Sequence, residues 1–391
     1  MTAFASLPIV DQEALAVLRN LLATMIEEGM VEAVLVPVQN RDGISAQHAL
    51  IADPEHLSLA NPLLPVMLIN GARIATLVTE REPVPNNGKP TTQKRIAVVL
   101  RPCELRALVE LAKLQQVNFD QLLTVTIDCV GTYELADLQA SGEELDPAAV
   151  TNAVLDSSRK ASLDPPGNLP YRHACTICET PVGVNPDISI HTLGVGEEQL
   201  LIEVADESLL EKLGLKAGAD ATGHSQAVEG LMAARHERRE AELDSFDALM
   251  ATSDDGLPGL IQAFQACQRC HNCTVVCPIC YCKECLFRTS TMEYEPDRYF
   301  RWAKRKGVAR LPGDTITFQL TRLAHVSVSC VGCGICTSGC PSNLPIDTLF
   351  QAVARRTQAL IDYIPGRNIE DPLPRASYRQ EEFVELGESE H

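Results

Sequence analysis

No apolar run in the 391-residue sequence approaches the roughly 20 residues that a membrane-spanning helix needs, so no transmembrane segment is expected. The N-terminus, MTAFASLPIVDQEALAVL, lacks a basic stretch followed by an apolar one, and no secretory signal is read there. Cations are outnumbered: 33 Lys and Arg stand against 52 Asp and Glu, a formal charge of −19. That balance argues against nucleic acid as a partner, because phosphate binding needs clustered positive charge. Neither a G-x-G-x-x-G fingerprint nor a Walker lysine occurs, which excludes a standard Rossmann or P-loop nucleotide site. Without export the chain is expected to be cytoplasmic, where cysteines serve metals or catalysis rather than disulfides.

Cysteine is what the chain has in excess. Of fifteen, eleven fall between Cys267 and Cys340, in two complete copies of the pattern C-x2-C-x2-C-x3-C-P. The first is Cys267, Cys270, Cys273, Cys277 and Pro278; the second is Cys330, Cys333, Cys336, Cys340 and Pro341. In bacterial ferredoxins three thiolates of such a run hold one [4Fe–4S] cubane and the fourth reaches to the other. Crossed in this way, Cys267, Cys270, Cys273 and Cys340 form one site, and Cys330, Cys333, Cys336 and Cys277 the second. Structural zinc normally uses two separated pairs, not two four-cysteine runs.

A third site is read from Cys175, Cys178, Cys282 and Cys285, with Cys280 as an alternative ligand and zinc as the rival metal. Cys103 and Cys129 stay ambiguous. Each follows a predicted strand, and a lone cysteine there is often buried and inert. His173 and His325 lie near cysteine runs, where they could tune a cluster or serve only the fold. Arg298, Arg301, Lys304, Arg305, Lys306 and Arg310 form a basic run, read as a solvated helix face or a dock for an acidic protein. Beside it, Trp302 and Tyr299 are read as packing residues.

Length alone implies two or three domains. Residues 12–30 carry Leu15, Leu18, Leu22, Met25 and Ile26 at helical spacing. Strand-like runs (VEAVLVPV, RIAVVL, LLTVTIDC, DISIHTLGV, LLIEVAD) alternate with helical patterns, which predicts an α/β domain with a mixed or parallel sheet and crossover helices over 1–255. Within it, 132–172 is polar and rich in Pro, Gly, Asp and Ser, read as a loop or excursion. A charged helix is placed around Ala227–Leu243 and a turn at Asp254-Asp255-Gly256. Residues 256–367 form a cysteine-rich, mainly α-helical module, with helices at TFQLTRLAHV and PIDTLFQAVARRTQAL and 52 residues between Cys277 and Cys330. It is similar to the α-helical dicluster ferredoxins of succinate dehydrogenase and heterodisulfide reductase subunits. The acidic tail, 368–391, with Glu381, Glu382, Glu385, Glu388 and Glu390, is read as extended.

The segments VVLRPCELRALVELAKL, TIDCVGTYEL, CTICETPVGVNPDISIHTLGV and CPICYCKECLF resemble the β-subunit family of coenzyme F420 hydrogenase and formate dehydrogenase, iron–sulfur flavoproteins. The resemblance touches most of residues 90–365. It implies an FAD-binding domain with the flavin near Arg101, Pro102, Cys103 and Glu104. It also implies electron transfer between a two-electron carrier and [4Fe–4S] clusters, within a complex of hydrogenase, formate dehydrogenase or heterodisulfide-reductase type. Ferredoxin, NAD(P)H or F420 are the exchange partners this suggests. Two departures are visible: F420-reducing members usually carry Gly-x-Pro-Cys where Arg101 stands, and their ferredoxin module commonly precedes the flavin domain. A flavin-free dicluster relay and assembly subunit is the alternative function.

Overall fold

Seven strands form one mixed sheet: β1 (Ala3–Pro8), β2 (Ala33–Gln39), β3 (Ala46–Ile51), β4 (Ile96–Leu100), β5 (Leu122–Ile127), β6 (Ile188–His191) and β7 (Gln199–Val204). The computed structural model describes residues 2–9, 13–79, 95–141, 146–250, 257–290, 297–307, 313–374 and 376. Strand order is β1-β7-β6-β5-β4-β2-β3. The centre is parallel: β2 pairs with β4, β4 with β5, and β5 with β6. β3, β7 and β1 each join antiparallel at the edges. The α/β character expected from the alternating pattern is present. Every residue of β5 is buried, the signature of a strand covered on both faces, and its sequence LLTVTI is accordingly β-rich throughout.

Helix α1 (Ala14–Glu27) lays Leu18, Leu21, Leu22 and Met25 on one face of the sheet, where they pack with Val34, Val99, Val125 and Ile188. On the other face lie α2 (Gly71–Val78) and α3 (Pro102–Lys113). From Leu257 onward every regular element among the described residues is helical. These helices continue the α2–α3 core without a break: Leu105 and Leu108 share one apolar cluster with Phe264, Phe318 and Phe350. The expected boundary at 255/256 falls on residues outside those described, as does the turn at 254–256.

Helix α4 (Thr222–Met250) extends the charged helix foreseen at 227–243 in both directions and straps the cysteine-rich part to the sheet. Its Glu240, Asp244 and Asp247 accept from Arg355 of α6 (Ile346–Leu360), at 2.8, 3.1 and 3.0 Å. Between them in sequence lies α5 (Gly313–Val326). Arg298 lies over the Trp302 ring in the helix Asp297–Lys306. Arg310, the acidic residues from Glu381 on, and the Tyr299 side chain lie outside the described residues.

Two expectations change. Residues 132–172 are not simply a loop, for they contain helices Leu135–Ala140 and Pro147–Arg159. Asp146 caps the second through the Ala148 N–H, Pro147 occupies its first turn, and Val154 and Leu155 are buried. Strands β1 and β3, at the sheet's two edges, were not foreseen.

One buried histidine ties the sheet together. His191, at the end of β6, hydrogen-bonds Asp128 through Nδ1 at 3.0 Å and Glu203 of β7 through Nε2 at 2.9 Å. Burial opposes its protonation, but the two carboxylates outweigh it and raise its pKa to about 9. A folded-state pKa above the unfolded value stabilises the protein at low pH and ceases to do so as pH climbs through the folded value. Wild-type protein should therefore lose stability relative to His191→Gln between about pH 6.5 and 9. Anaerobic urea-unfolding midpoints of the two across that range check this, and parallel curves would refute it.

Candidate metal centre

Three cavities in the structure are walled by cysteines, four in two of them and five in the third. The outer one, about 300 Å³, is lined by Cys267, Cys270, Cys273 and Cys340, the members of the first crossed set. Cys270 is exposed and Cys273 buried. Gln319 of α5 points its amide at Cys267 Sγ, 3.9 Å away. The middle cavity, about 400 Å³, is lined by Cys277, Cys330, Cys333 and Cys336, the second crossed set.

Their loops are built alike. Two and four residues after the first cysteine, Arg269 and His271 in one loop and Gly332 and Gly334 in the other hold φ between 56° and 71°. Each left-handed residue turns successive backbone N–H groups inward, making a concave nest suited to anions. A short helix then follows in each, Asn272–Val276 and Ile335–Ser338. These two helices touch where Gly339 meets Val276; a Cβ on Gly339 would stand 2.9 Å from it.

The inner cavity, about 420 Å³, is where the structure departs from expectation. Cys175 and Cys178 line it with Cys103 and Cys129, not with Cys282 and Cys285. Cys103 sits in the first turn of α3, just beyond β4, and Cys129 just beyond the neighbouring parallel strand β5. Adjacent parallel strands thus deliver both thiols to one end of the sheet. The Cys129 N–H bonds Pro181 O at 2.9 Å, which draws in the loop carrying Cys175 and Cys178. Cys282 is exposed, and Cys285 packs against the apolar core of the C-terminal helices. Cys280 hydrogen-bonds Cys277, and this lowers the Cys277 pKa to about 6 despite burial. The signal that could have found the inner set was two cysteines following two consecutive predicted strands.

The three cavities adjoin in order. Cys333 lines both the middle and the inner one. Arg322 of α5 lines the middle one and donates to Cys273 O of the outer loop at 3.1 Å. Bare thiols are poorly placed here. Burial pushes Cys129 and Cys333 up to about 12, and Cys330 and Cys273 to about 11. Thiolates in such sites need a cationic partner, which bound metal supplies. In the middle cavity Arg322 Nε and Gln351 Nε2 are buried N–H donors with no acceptor among the described residues. Four sulfurs, inward backbone N–H groups and spare donors are the set that a sulfide-bearing [4Fe–4S] cube can use.

The turn expected beside a flavin is already committed. Arg101 Nη2 donates to Leu64 O and Val66 O at 2.8 and 2.9 Å. The Glu104 carboxylate accepts from the Gly71 and Arg101 N–H groups, both at 2.8 Å. Pro102 has no N–H, and Cys103 faces the inner cysteines. Arg101 Nη2 and the Glu104 carboxylate are thus engaged by the fold. A cavity of about 530 Å³ lies beside them at the carboxyl ends of β2, β4 and β5, and shares Arg101, Cys129 and Gly131 with the inner cavity.

His173 bonds Asp347 at 3.0 Å and Glu242 at 3.2 Å, with a pKa raised chiefly by Asp347, whereas His325 is exposed. Asp128, His191 and His224 bring potential ligand atoms within 4.8 Å of one another. Both His191 nitrogens already face carboxylates, and His224 Nδ1 bonds Leu193 O at 2.9 Å, so this is a hydrogen-bonded network.

Gly334 is where the middle loop meets the inner one. Its φ is +68°, and a Cβ there would stand 2.3 Å from Ala174 Cβ. Gly334→Ala should destabilise the protein by about 2 kcal/mol or more, from backbone strain and overpacking together. Thermal unfolding of anaerobic protein checks it; a variant as stable as wild type would refute the close approach.

No protein-family model matches the chain. F420-dependent formate dehydrogenase subunit β of Methanocaldococcus jannaschii is 25% identical over 340 residues, 80% of this chain and 85% of the relative. F420-dependent formate dehydrogenase 1 subunit β of Methanococcus maripaludis is 26% identical over 310 residues, 72% and 75% of the two chains. A chain of the F420-reducing [NiFe] hydrogenase complex from Methanosarcina barkeri aligns loosely, at a TM-score of 0.41 and 14% identity, covering 62% of this chain and 91% of its own. Over most of its length this chain is similar to F420-dependent formate dehydrogenase β subunits, in keeping with the family resemblance of its sequence motifs.

Proposed function

We propose that this chain is an electron-transfer subunit of a multisubunit oxidoreductase, carrying three [4Fe–4S] clusters in series. The observation that carries this is the adjoining order of three cysteine quartets, linked by Cys333 on one side and Arg322 on the other. Cys267, Cys270, Cys273 and Cys340 are assigned to the outer cluster, and Cys277, Cys330, Cys333 and Cys336 to the middle one. Cys103, Cys129, Cys175 and Cys178 are assigned to the inner one. When bound, such clusters exchange single electrons at potentials set by charge, hydrogen bonds and exposure. The protein's part is to hold them close and dry. Phe318, Phe350 and Val331 are buried among them, while exposed Cys270 leaves the outer site open to a partner. Other redox subunits are the partners of this reading: formate dehydrogenase type from the relatives' names, hydrogenase or heterodisulfide-reductase type from the sequence resemblance.

A second reading adds a two-electron carrier at the opposite end. The cavity of about 530 Å³ has walls from Pro37, Leu64, Val99 and Leu155, and Cys129 of the inner quartet lines it as well. Carboxyl ends of parallel strands are where open α/β sheets bind ligands. FAD is the carrier the resemblance implies, although Arg101 Nη2 and the Glu104 carboxylate in the 101–104 turn are already engaged by the fold.

Anaerobically purified protein should contain about 12 iron and 12 acid-labile sulfide per chain, from three four-iron cubes. Zinc in excess, without sulfide, would overturn the proposal. Flavin released from the same sample supports the second reading, and a flavin-free sample with full iron removes it. Cys103→Ser or Cys129→Ser should each lose about four iron and one reduced-state EPR signal. Cys282→Ser and Cys285→Ser should keep the full complement; iron loss in these two would restore the ligand set expected from spacing alone.

A further inference from the structure

Two arginines are buried in the partitions between cysteine quartets, and neither has a carboxylate for a partner among the described residues. Arg322 is 4% exposed. It donates to Gln319 Oε1 and Cys273 O, each at 3.1 Å, and lies 4.6 Å from the Phe350 ring centroid. Its Nε–H has no acceptor among the described residues. The main opposite charges acting on it belong to thiols: Cys273 of the outer quartet, Cys280, and Cys277 and Cys336 of the middle quartet. Arg106, at 9% exposure, donates to Pro365 O, Thr180 Oγ1 and Val331 O. Cys178 and Cys103 of the inner quartet and Cys330 of the middle one act on its charge, opposed by the Arg239 cation.

A guanidinium buried without an anion is strongly destabilising, so a stable fold must supply one. Asp347 lines the middle cavity too, but His173 and Thr337 already engage it, at 3.0 and 2.6 Å. The remaining candidates are the loaded cysteine quartets, which carry net negative charge.

Building on the three-cluster proposal, we propose that Arg322 and Arg106 are shared counter-ions. Arg322 would serve the outer and middle clusters, and Arg106 the middle and inner ones, and each would raise the reduction potential of both its neighbours. Every one-electron reduction adds a negative charge to a cluster and its thiolates. A fixed cation in low dielectric stabilises that charge more than water would. A cation shared by two clusters acts on both at once, keeping their potentials in step and limiting the uphill cost of passing an electron between them. These are positioning residues, since neither supplies a ligand.

The test compares wild type, Arg322→Gln and Arg322→Lys as full chains purified without oxygen. Each is titrated with redox mediators and read by EPR, with iron assayed on the same samples. Arg322→Gln should keep its iron and move the potentials of two signals negative, leaving the third in place; Arg322→Lys, which keeps the charge, should hold both near wild type. If Arg322→Gln loads no middle cluster while Arg322→Lys does, the charge is needed even for assembly, which also supports the proposal. Unchanged potentials in fully loaded Arg322→Gln would overturn it. So would equal shifts, or equal iron loss, in the glutamine and lysine variants. A wild type without iron would instead defeat the three-cluster proposal itself, so the two failures are distinguishable.

Discussion

Charge buried out of water must meet its opposite, and that requirement organises this molecule from the sheet edge to the last helix. Most thiols of the three quartets, the guanidiniums of Arg322 and Arg106, and the Asp128–His191 pair lie largely out of water. Where the partner is a protein group, as for His191 or Glu104, the result is a fastener between elements. Where the protein provides sulfur on one side and unpaired N–H donors on the other, the structure describes a container whose contents complete the electrostatics. The same physics produces a structural network at one end of β6 and a candidate metal centre a few residues away.

Placement follows from topology. Parallel strands β4 and β5 end side by side, so the residues just after them are brought together regardless of their distance in sequence. One end of the sheet therefore holds Cys103 and Cys129, and the helices beyond α3 dock against it through a single apolar core. Helix α4 then locks the arrangement through the Arg355 cluster of carboxylates. Those exposed ion pairs are individually weak, but their convergence on one arginine makes the strap specific.

What could be read from the sequence divides along the same line. The outer and middle sets were legible because three of their four sulfurs come from one short loop, so spacing encodes geometry directly. The inner set was half legible: Cys175-x2-Cys178 announced a site, but its partners lie 72 and 46 residues upstream of Cys175 and carry no spacing signature. A second C-x2-C pair, Cys282 and Cys285, pointed elsewhere, and neither lines the inner cavity. The buried central strands read clearly from continuous β-branched runs, whereas edge strands β1 and β3, partly exposed, did not. Helix Pro147–Arg159 was masked by its polar composition, although Asp146 and Pro147 formed a proper start signal.

The two cysteine loops share a backbone but not a cost. Glycines 332 and 334 adopt left-handed φ freely, whereas Arg269 and His271 in the matching positions are held there at roughly 1 kcal/mol each or more. The outer loop is thus sprung, and the middle loop relaxed in the same shape. With its exposed Cys270, the sprung loop is also the one that oxidants reach first. Damage would then begin at the rim and release tension there, a fuse that spares the two deeper sites.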